Sequence, residues 1–350
     1  MTQQTQTAVL GVSGYAGAEL ARLLLRHPRL AATPPLFLGR EGSAREPLTK
    51  LHPHLAGLSQ HQLCIEPFSW DLLAARNVET LFLATPHQQS RAWAPEALAR
   101  GLRVIDLSGA WRLEDPANRA VYRFSDDQSP AAATTQQAAV YGMPELHHDA
   151  IRTARLVANP GCYATSIILA LKPLVAAGWV DLDRGIICDA KSGVSGAGKE
   201  PTAKTHFMHA ADNLSAYGLF GHRHTGELLE QLSVSADEIL FTPHLLPIPR
   251  GILSTIYITL REQHTTAEVE ALLRNFYADS PLVRLFPAGQ LPQIQHVVRT
   301  SFCDIGFQLA PDGRRSILIS CLDNLLKGAA GQAVQNLNVM YGWQQTEGLL

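Results

Sequence analysis

The stretch TAVLGVSGYAGAELARLLLRHP, Thr7–Pro28, decides the fold. It opens on a short apolar run of strand length and turns through Gly11, Gly14 and Gly17. A helical pattern follows and stops at Pro28. Glycines at this spacing let the backbone turn sharply and approach a pyrophosphate, which then rests on the helix N-terminus. The expectation is a dinucleotide-binding turn made by Gly11, Ser13, Gly14, Tyr15 and Gly17. A tight strand-to-helix turn without a ligand is the alternative.

Outward from this stretch, strand and helix patterns alternate. PPLFLGR reads as a second strand, VETLFLATPHQQS as a buried strand running into a loop, AWAPEALARG as a helix and RVIDLSGAWRL as strand and loop. Such alternation over the first part of the chain indicates α/β architecture with a parallel, doubly wound sheet. Beyond residue 162 the runs GIICDAKSGVSGAG, EILFTPHLLPIP, GILSTIYITL and RRSILISCLDN are rich in strand formers, which points to a mixed α+β second domain. KGAAGQAVQNLNVMYGW closes the chain as a helical pattern. Residues 113–140 and 196–216 carry no regular pattern.

An NAD site usually presents Asp or Glu after the second strand, whereas arginine accommodates the 2′-phosphate of NADP. This chain reads LFLGREGSAR there, with Arg40 and Arg45 bracketing Ser43 and only Glu41 acidic. NADP is the expected cofactor.

The segment ANPGCYAT, Ala158–Thr165, places a cysteine directly after Asn-Pro-Gly and just before an apolar helical run, TSIILALKPLVAAG. Cys162 therefore belongs at or near a helix N-terminus, where unpaired N–H groups favour an anion and a thiol is acidified. A small buried hydrophobe is the plainer reading of a free cysteine. Chemistry at a thiol with a nicotinamide needs a proton donor and acceptor near neutrality. The densest polar cluster is YGLFGHRHTGEL, with His222, His224 and Glu227. A net charge of −2 gives no electrostatic case for nucleic acid or an anionic membrane, and the five cysteines show no paired spacing for a disulfide framework or metal site. The beginning, MTQQTQTAVLG, has no signal-peptide pattern, so a cytoplasmic protein is expected.

The motifs GVSGYAGAEL, DLSGAWRL, VYGMPEL, NPGCYAT, SGVSGAGK, GHRHTGE, FTPHLLPIPRGIL and DNLLKGAAGQAVQNLN, in this order, resemble the N-acetyl-γ-glutamyl-phosphate reductase family, related to aspartate-semialdehyde dehydrogenase. The resemblance implies a discontinuous Rossmann-type NADP-binding domain, 1–158 and 322–350, whose C-terminal helix packs back on it. Residues 159–321 would form a catalytic and dimerisation domain. It implies reduction of N-acetyl-L-glutamyl 5-phosphate to the 5-semialdehyde through a thioester on Cys162, with His222 as acid/base and His224 as the alternate. Ser192, Gly193 and Asn324 would border the cofactor. Arg112, Asn159 and Glu227 would bind the acyl-phosphate substrate, Arg112 on its phosphate, and no metal is implied. A homodimer or homotetramer is expected, without nucleic-acid or membrane partners. The chain departs from the family pattern at Ala164 and Gly226, where proline is usual, and at Gly109 and Trp111. Rival readings are a reductase of a carrier-protein-linked aminoadipyl phosphate, a redox-sensing NADP-binding protein without turnover, and a Cys–His acyl transferase or hydrolase.

Overall fold

In the computed structural model, which describes residues 5–59, 62–126 and 129–350, Thr7–Leu10 forms β1, buried along its whole length. The chain then passes through the glycine turn into a helix, Tyr15–Arg26, that buries Gly17, Leu20, Ala21, Leu23 and Leu24. Seven more strands join β1: β2 (Leu36–Leu38), β3 (Glu46–Pro47), β4 (Cys64–Glu66), β5 (Thr80–Leu83), β6 (Arg103–Asp106), β7 (Ala139–Tyr141) and β8 (Leu156–Ala158). Their order across the sheet is β3-β4-β2-β1-β5-β6-β8-β7, and every pairing is parallel except that of β3 with β4. The order reverses between β1 and β5, the switch point where open α/β sheets bind ligands at the carboxyl ends of their strands. Burial of β1 and β5 on both faces matches their continuous apolar runs.

The chain divides into two compact units. One comprises 1–114, 122–160 and 329–350, the other 115–121 and 161–328. These limits depart from boundaries at 158/159 and 321/322 for local reasons. Asn159 stays with the first unit because its N–H donates to Asp106 O and its side-chain amide donates to Ala329 O. Asp323 and Asn324 stay with the second, because they hold the N–H groups of Arg299 and Gly251.

The helix Gly331–Met340 belongs to the first unit and is almost wholly buried despite its amides. Each amide N–H group finds an acceptor, although Gln332 Oε1 and Asn336 Oδ1 accept no bond among the described residues: Gln332 and Asn336 donate to Gly142 O, Gln335 to Glu145, and Asn338 to the carbonyls of Gln345 and Glu347. Buried amides of this kind cost stability only when unmatched.

The second unit is built on β9 (Ile186–Gly193), β10 (Ser215–Ala216), β11 (Ile239–Leu246), β12 (Ile252–Thr259), β13 (Val283–Leu285), β14 (Cys303–Leu309) and β15 (Arg315–Leu322). They lie in the order β10-β11-β9-β12-β15-β14-β13, with β9–β11 and β13–β14 parallel and the others antiparallel. The helix Cys162–Ala176 packs on this sheet, against β9, β12, β14 and β15. Alternation along the strands puts Cys188, Ala190, Ser254, Ile256, Leu318 and Ser320 in the interior.

The segments that read as patternless contain the short helices Pro116–Arg119, Pro130–Ala138 and Phe207–Ala210; of these segments, residues 127 and 128 lie outside the described residues. Ser129 starts the second of them as an N-cap, its Oγ accepting the Ala132 N–H at 3.1 Å. Among the described residues, no helix is long and apolar enough to cross a membrane.

Gly109 is one of the departures from the family pattern, and the structure supplies its cause. A Cβ there would overlap the Tyr122 ring, coming within 2.6 Å of Cε1. Gly109→Ala is therefore expected to destabilise the fold by about 1–3 kcal/mol, as overpacking does. A urea midpoint unchanged from wild type would show that the Tyr122 ring moves aside at no cost.

Candidate active site

In the first unit, the glycine turn is set by close approaches. Gly11 has φ +95°, and a Cβ on it would overlap the Ala84 carbonyl. A Cβ on Gly17 would overlap Gly11 O and lie 2.9 Å from Val12 Cα. Gly14 meets nothing closer than 3.9 Å and is the N-cap of the helix Tyr15–Arg26, with no side chain capping it. Ser13 and Tyr15 stand exposed beside it. The result is an uncapped helix N-terminus facing an open glycine, suited to a pyrophosphate. His52, which sequence reasoning passed over, steadies the turn: its Nε2 lies 2.8 Å from Val12 O.

The end of β2 continues into Gly39, Arg40 and an Arg40–Ser43 turn. Arg40 and Glu41 are exposed, while Arg45 pairs with Glu66 at 2.8 Å. Ser43 Oγ is buried without a hydrogen-bond partner among the described residues, next to Gly39, whose Cβ would come within 2.7 Å of it. An arginine and an orphaned hydroxyl, with no acid directly after the strand, fit the 2′-phosphate of NADP. His87 Nδ1 accepts the Gly109 N–H at 2.8 Å and its ring sits edge-on to Tyr122, so it is engaged in holding the loop after β6.

Two residues expected on the substrate face inward in this unit. Arg112 is buried, and its Nε and Nη2 donate to the carbonyls of Asn159 and Leu107 at 2.7 and 2.9 Å. Those are the N–H groups a bidentate phosphate clamp would use. Asn159 is fully buried, its amide joining Ala329 O and Asn336. Both hold backbone carbonyls, which satisfies their buried donors.

In the second unit, Cys162 is the first residue of the 15-residue helix Cys162–Ala176, whose N-cap is Gly161 and which no side chain caps. It is half-buried, whereas Cys188 and Cys321 are fully buried with their thiols pushed up by burial. Position and exposure single out Cys162 as the thiol fit for attack. The turn after Asn324 backs it: a Cβ at Gly328 would come within 2.7 Å of Cys162 Cβ. The next residue, Tyr163, is drawn into the core, its hydroxyl donating to His244 O at 2.6 Å.

Gly161 allows a second close approach. A Cβ there would overlap the edge of the His224 imidazole, at Nε2 and Cδ2, and would lie 2.7 Å from Glu227 Oε1. Glu227 is fully buried on the helix Thr225–Leu232, and its Oε2 accepts the Gly161 N–H at 2.8 Å. The structure thus brings Cys162, His224 and Glu227 to one backbone position. His222 is held in an aromatic setting: its Nδ1 accepts the His224 N–H at 3.1 Å, and its ring is enclosed by Tyr163, Tyr217 and Phe241 at 5.2–5.7 Å between centroids.

Ser192 and Gly193 were expected to border the cofactor. They lie at the end of β9, with Ser192 buried and Gly193 N–H bonded to Gly251 O; the loop proper begins at Val194. Asn324 is buried, its Oδ1 accepting the Gly251 N–H and its Nδ2 donating to Ser195 Oγ. It holds this loop in place. Asp323, not singled out from the sequence, accepts the N–H groups of Arg299, Leu325 and Leu326 and sets the turn that leads to Gly328. An Asp between an apolar strand and a new turn was the available signal.

Burial first, and then the Arg223 charge, push the His222 imidazole down to about 4. The native state therefore holds His222 neutral, while the unfolded chain takes up a proton below its ordinary value of 6.5. This contribution is complete above pH 6.5 and is lost as pH falls toward 4, amounting to about 3 kcal/mol at most. His222→Gln is expected to flatten the stability profile between pH 6.5 and 4 in urea titrations. An unchanged slope would place the acid sensitivity elsewhere.

Comparison with known proteins agrees with this fold. Residues 6–154 match the family model for the semialdehyde dehydrogenase NAD binding domain, and residues 162–324 that for the semialdehyde dehydrogenase dimerisation domain. The N-acetyl-gamma-glutamyl-phosphate reductase of Symbiobacterium thermophilum is 44% identical over 99% of this chain and 97% of its own length. That of Geobacter sulfurreducens is 43% identical over 98% and 97%. Among solved structures, aspartate semialdehyde dehydrogenase II from Vibrio cholerae shares the fold with a TM-score of 0.69 at 18% identity, covering 97% of this chain and 98% of that one. A probable aspartate-semialdehyde dehydrogenase from Pseudomonas aeruginosa gives 0.67 at 21%, over the same shares. With relatives this similar along its full length, the chain belongs to the N-acetyl-γ-glutamyl-phosphate reductase family.

Proposed function

We infer that this protein reduces N-acetyl-L-glutamyl 5-phosphate to N-acetyl-L-glutamate 5-semialdehyde with NADPH, releasing phosphate, in arginine biosynthesis. The observation that carries the reading is Cys162 at an uncapped helix N-terminus with the His224 imidazole packed against the preceding glycine. The names of the full-length relatives support the acyl group.

Cys162 is the nucleophile in this reading. Its thiolate attacks the acyl carbon, a C–S bond forms, and the C–O bond to phosphate breaks to leave a thioester. Gly11–Gly17, Arg40 and Ser43 would hold NADPH, whose chemistry would be hydride donation to the thioester carbonyl. Collapse of the resulting thiohemiacetal breaks the C–S bond and frees the aldehyde and the thiolate. A cysteine of ordinary pKa about 8.5 is only a few per cent ionised at neutrality. Lowering it by about two units takes roughly 2.7 kcal/mol of differential stabilisation. A helix terminus supplies about 0.3–1 and at most ~2 kcal/mol, so a charged partner is needed as well.

We assign that partnership, and the acid–base role, to His224 rather than His222. His224 stands against Gly161, beside the nucleophile's backbone. His222, pushed down to about 4 and with Nδ1 bonded to the His224 N–H, is a poor base and a poor imidazolium near pH 7. It packs the histidine segment against Tyr163 and Phe241.

The test is phosphate-dependent reduction of NADP⁺ with N-acetylglutamate semialdehyde, beside the unacetylated and the one-carbon-longer aldehydes. Preference for the acetylated substrate is expected. Turnover of none of them, despite NADP binding, would move the protein to a carrier-linked substrate or to a sensor. Cys162→Ser should lower turnover at least about 10³-fold with NADPH affinity near wild type. Activity surviving that change would overturn the thioester route.

The same reading includes a cytoplasmic homodimer or homotetramer built through the second unit. Leu240, Ile187, Tyr257 and Ile317 are paired in register across β11, β9, β12 and β15, all exposed by 40–46% on the sheet's outer side. A row of apolar side chains on one sheet face supports burial against a second copy. Tyr257→Glu combined with Ile187→Glu is expected to give monomers in light scattering after size exclusion. Retention of the wild-type mass would exclude this face as the interface.

A further inference from the structure

Just before its histidine segment the chain leaves large apolar side chains uncovered. Phe207, Met208, Leu214, Leu219 and Phe220 fall in one short stretch and are 54–88% exposed, Phe220 the most. Single apolar residues on a surface are ordinary, but a run this dense marks a contact surface. The stretch is fastened down at several points. Phe207–Ala210 is a short helix whose N-cap, His206, accepts the Met208 N–H through Nδ1. β10 follows and pairs with β11, Ser215 opposite Leu245 and Ala216 opposite His244, and the Tyr217 N–H donates to Pro243 O. The apolar stretch therefore hangs from the edge of the sheet whose outer side carries Leu240, Ile187, Tyr257 and Ile317.

Phe220 has a φ of +56°, a left-handed backbone that a bulky side chain rarely adopts. Such a conformation persists where its surroundings over-determine it, and a ring 88% exposed has few surroundings in its own chain. The chemistry of the stretch selects what covers it. From Thr205 to Gly221 the only formal charge is Asp212, which suits an apolar interface core and offers nothing to a strongly charged partner. Area argues the same way. A stable dimer buries about 800 Å² on each partner, from roughly 20–30 residues a side, and one row of four side chains on the sheet supplies only part of that. The adjoining stretch supplies more.

We propose that Phe207–Phe220 is an interface arm buried against a second copy of the chain, and that this burial fixes the histidine segment that follows it. Phe220 precedes His222 by two residues and His224 by four. Gly218 and Gly221 flank Leu219 and Phe220, so the backbone entering the histidines is soft until the two side chains between the glycines are gripped. The acid–base group of each protomer then depends on its partner, and the site is incomplete in the monomer. This dependence rests on the dimer and on the role of His224 inferred for the site, and the experiment tells their failures apart.

Mass by light scattering, kcat for phosphate-dependent NADP⁺ reduction and the rate of Cys162 alkylation by iodoacetamide are followed over a range of protein concentrations. The proteins are wild type, Phe207→Ser combined with Met208→Ser, Phe220→Ser, and the outer-face pair Ile187→Glu with Tyr257→Glu. The arm variants are expected to raise the dimer Kd at least about tenfold, as the loss of central apolar anchors does. On dissociation kcat per protomer should fall about 10–100-fold, since misplacing a catalytic group by about an ångström costs on that order, and alkylation should slow with it. NADPH affinity should stay near wild type, because the glycine turn is untouched. Dilution of the wild type needs no variant: kcat is expected to fall in step with the fraction of dimer.

Arm variants that keep wild-type mass and kcat while the outer-face pair dissociates would overturn the arm and leave the outer-face dimer standing. Dissociation without loss of kcat, in the variants or on dilution, would overturn the dependence of the site on the partner. Loss of kcat without dissociation would overturn it too, placing the arm's effect within its own protomer. A wild type that is monomeric and fully active throughout would remove both the arm and the dimer.

Discussion

Two hydrogens in place of two methyl groups govern the catalytic unit. At Gly161 and Gly328 the chain has no Cβ, and on those two sides the Cys162 backbone is approached by the His224–Glu227 pair and by the turn after Asn324. A methyl at Gly328 would sit 2.7 Å from Cys162 Cβ, which cannot retreat without moving the helix, and one at Gly161 would displace the His224 ring edge and the Glu227 carboxylate. A nucleophile needs its partners in place before substrate arrives, because misplacement of about an ångström costs on the order of a hundredfold. The glycines are where that requirement enters the sequence.

The rest of the second unit holds the arrangement rigid. Tyr163 is locked by its bond to His244 O, and Ser166, one turn further on, bonds to Ser254 and Ser320 on the sheet below. Asp323 organises the turn that reaches Gly328, and Asn324 ties the same turn to Gly251 and Ser195. Side chains expected near ligand thus also hold backbone here. Arg112 and Asn159 in the first unit behave the same way. Polar residues in strongly patterned motifs satisfy buried carbonyls and amides as readily as they bind ligands, and residue type alone does not separate the two roles.

This is why the fold was legible in the sequence and the site only in part. β1, the glycine turn and the helix Tyr15–Arg26 follow from local pattern, as do β5, β9, β11, β12 and β15, because apolar period and punctuation are properties of neighbours in the chain. β4 and β14 escaped: the first is only Cys64–Glu66, and the second, CDIGFQL, alternates apolar with polar or glycine positions, a strand signal that sequence reasoning passed over. The position of Cys162 at a helix start was readable from Asn-Pro-Gly before an apolar run. The choice between His222 and His224 was not. The features that bear on it are which ring meets Gly161, sixty-odd residues away in sequence, and the burial that pushes the His222 imidazole down.

The departures from the family pattern show which features of the site the sequence is free to vary. Ala164 is the third residue of the Cys162 helix, within the first turn, where proline is tolerated because its N–H would have no intrahelical partner. Alanine there returns an N–H to the helix terminus beside the thiol, adding to the positive end that favours an anion. Gly226 is likewise in the first turn of its helix, where it forgoes the fixed φ of proline and weakens the start by helix propensity of about 1 kcal/mol relative to alanine. That start is held instead from outside, by the bond of Glu227 to the Gly161 N–H. Substitutions that loosen a helix terminus are thus absorbed where a tertiary contact already fixes it, whereas a side chain at Gly161 would push the His224 ring and the Glu227 carboxylate from their places and one at Gly328 would press on the Cys162 backbone.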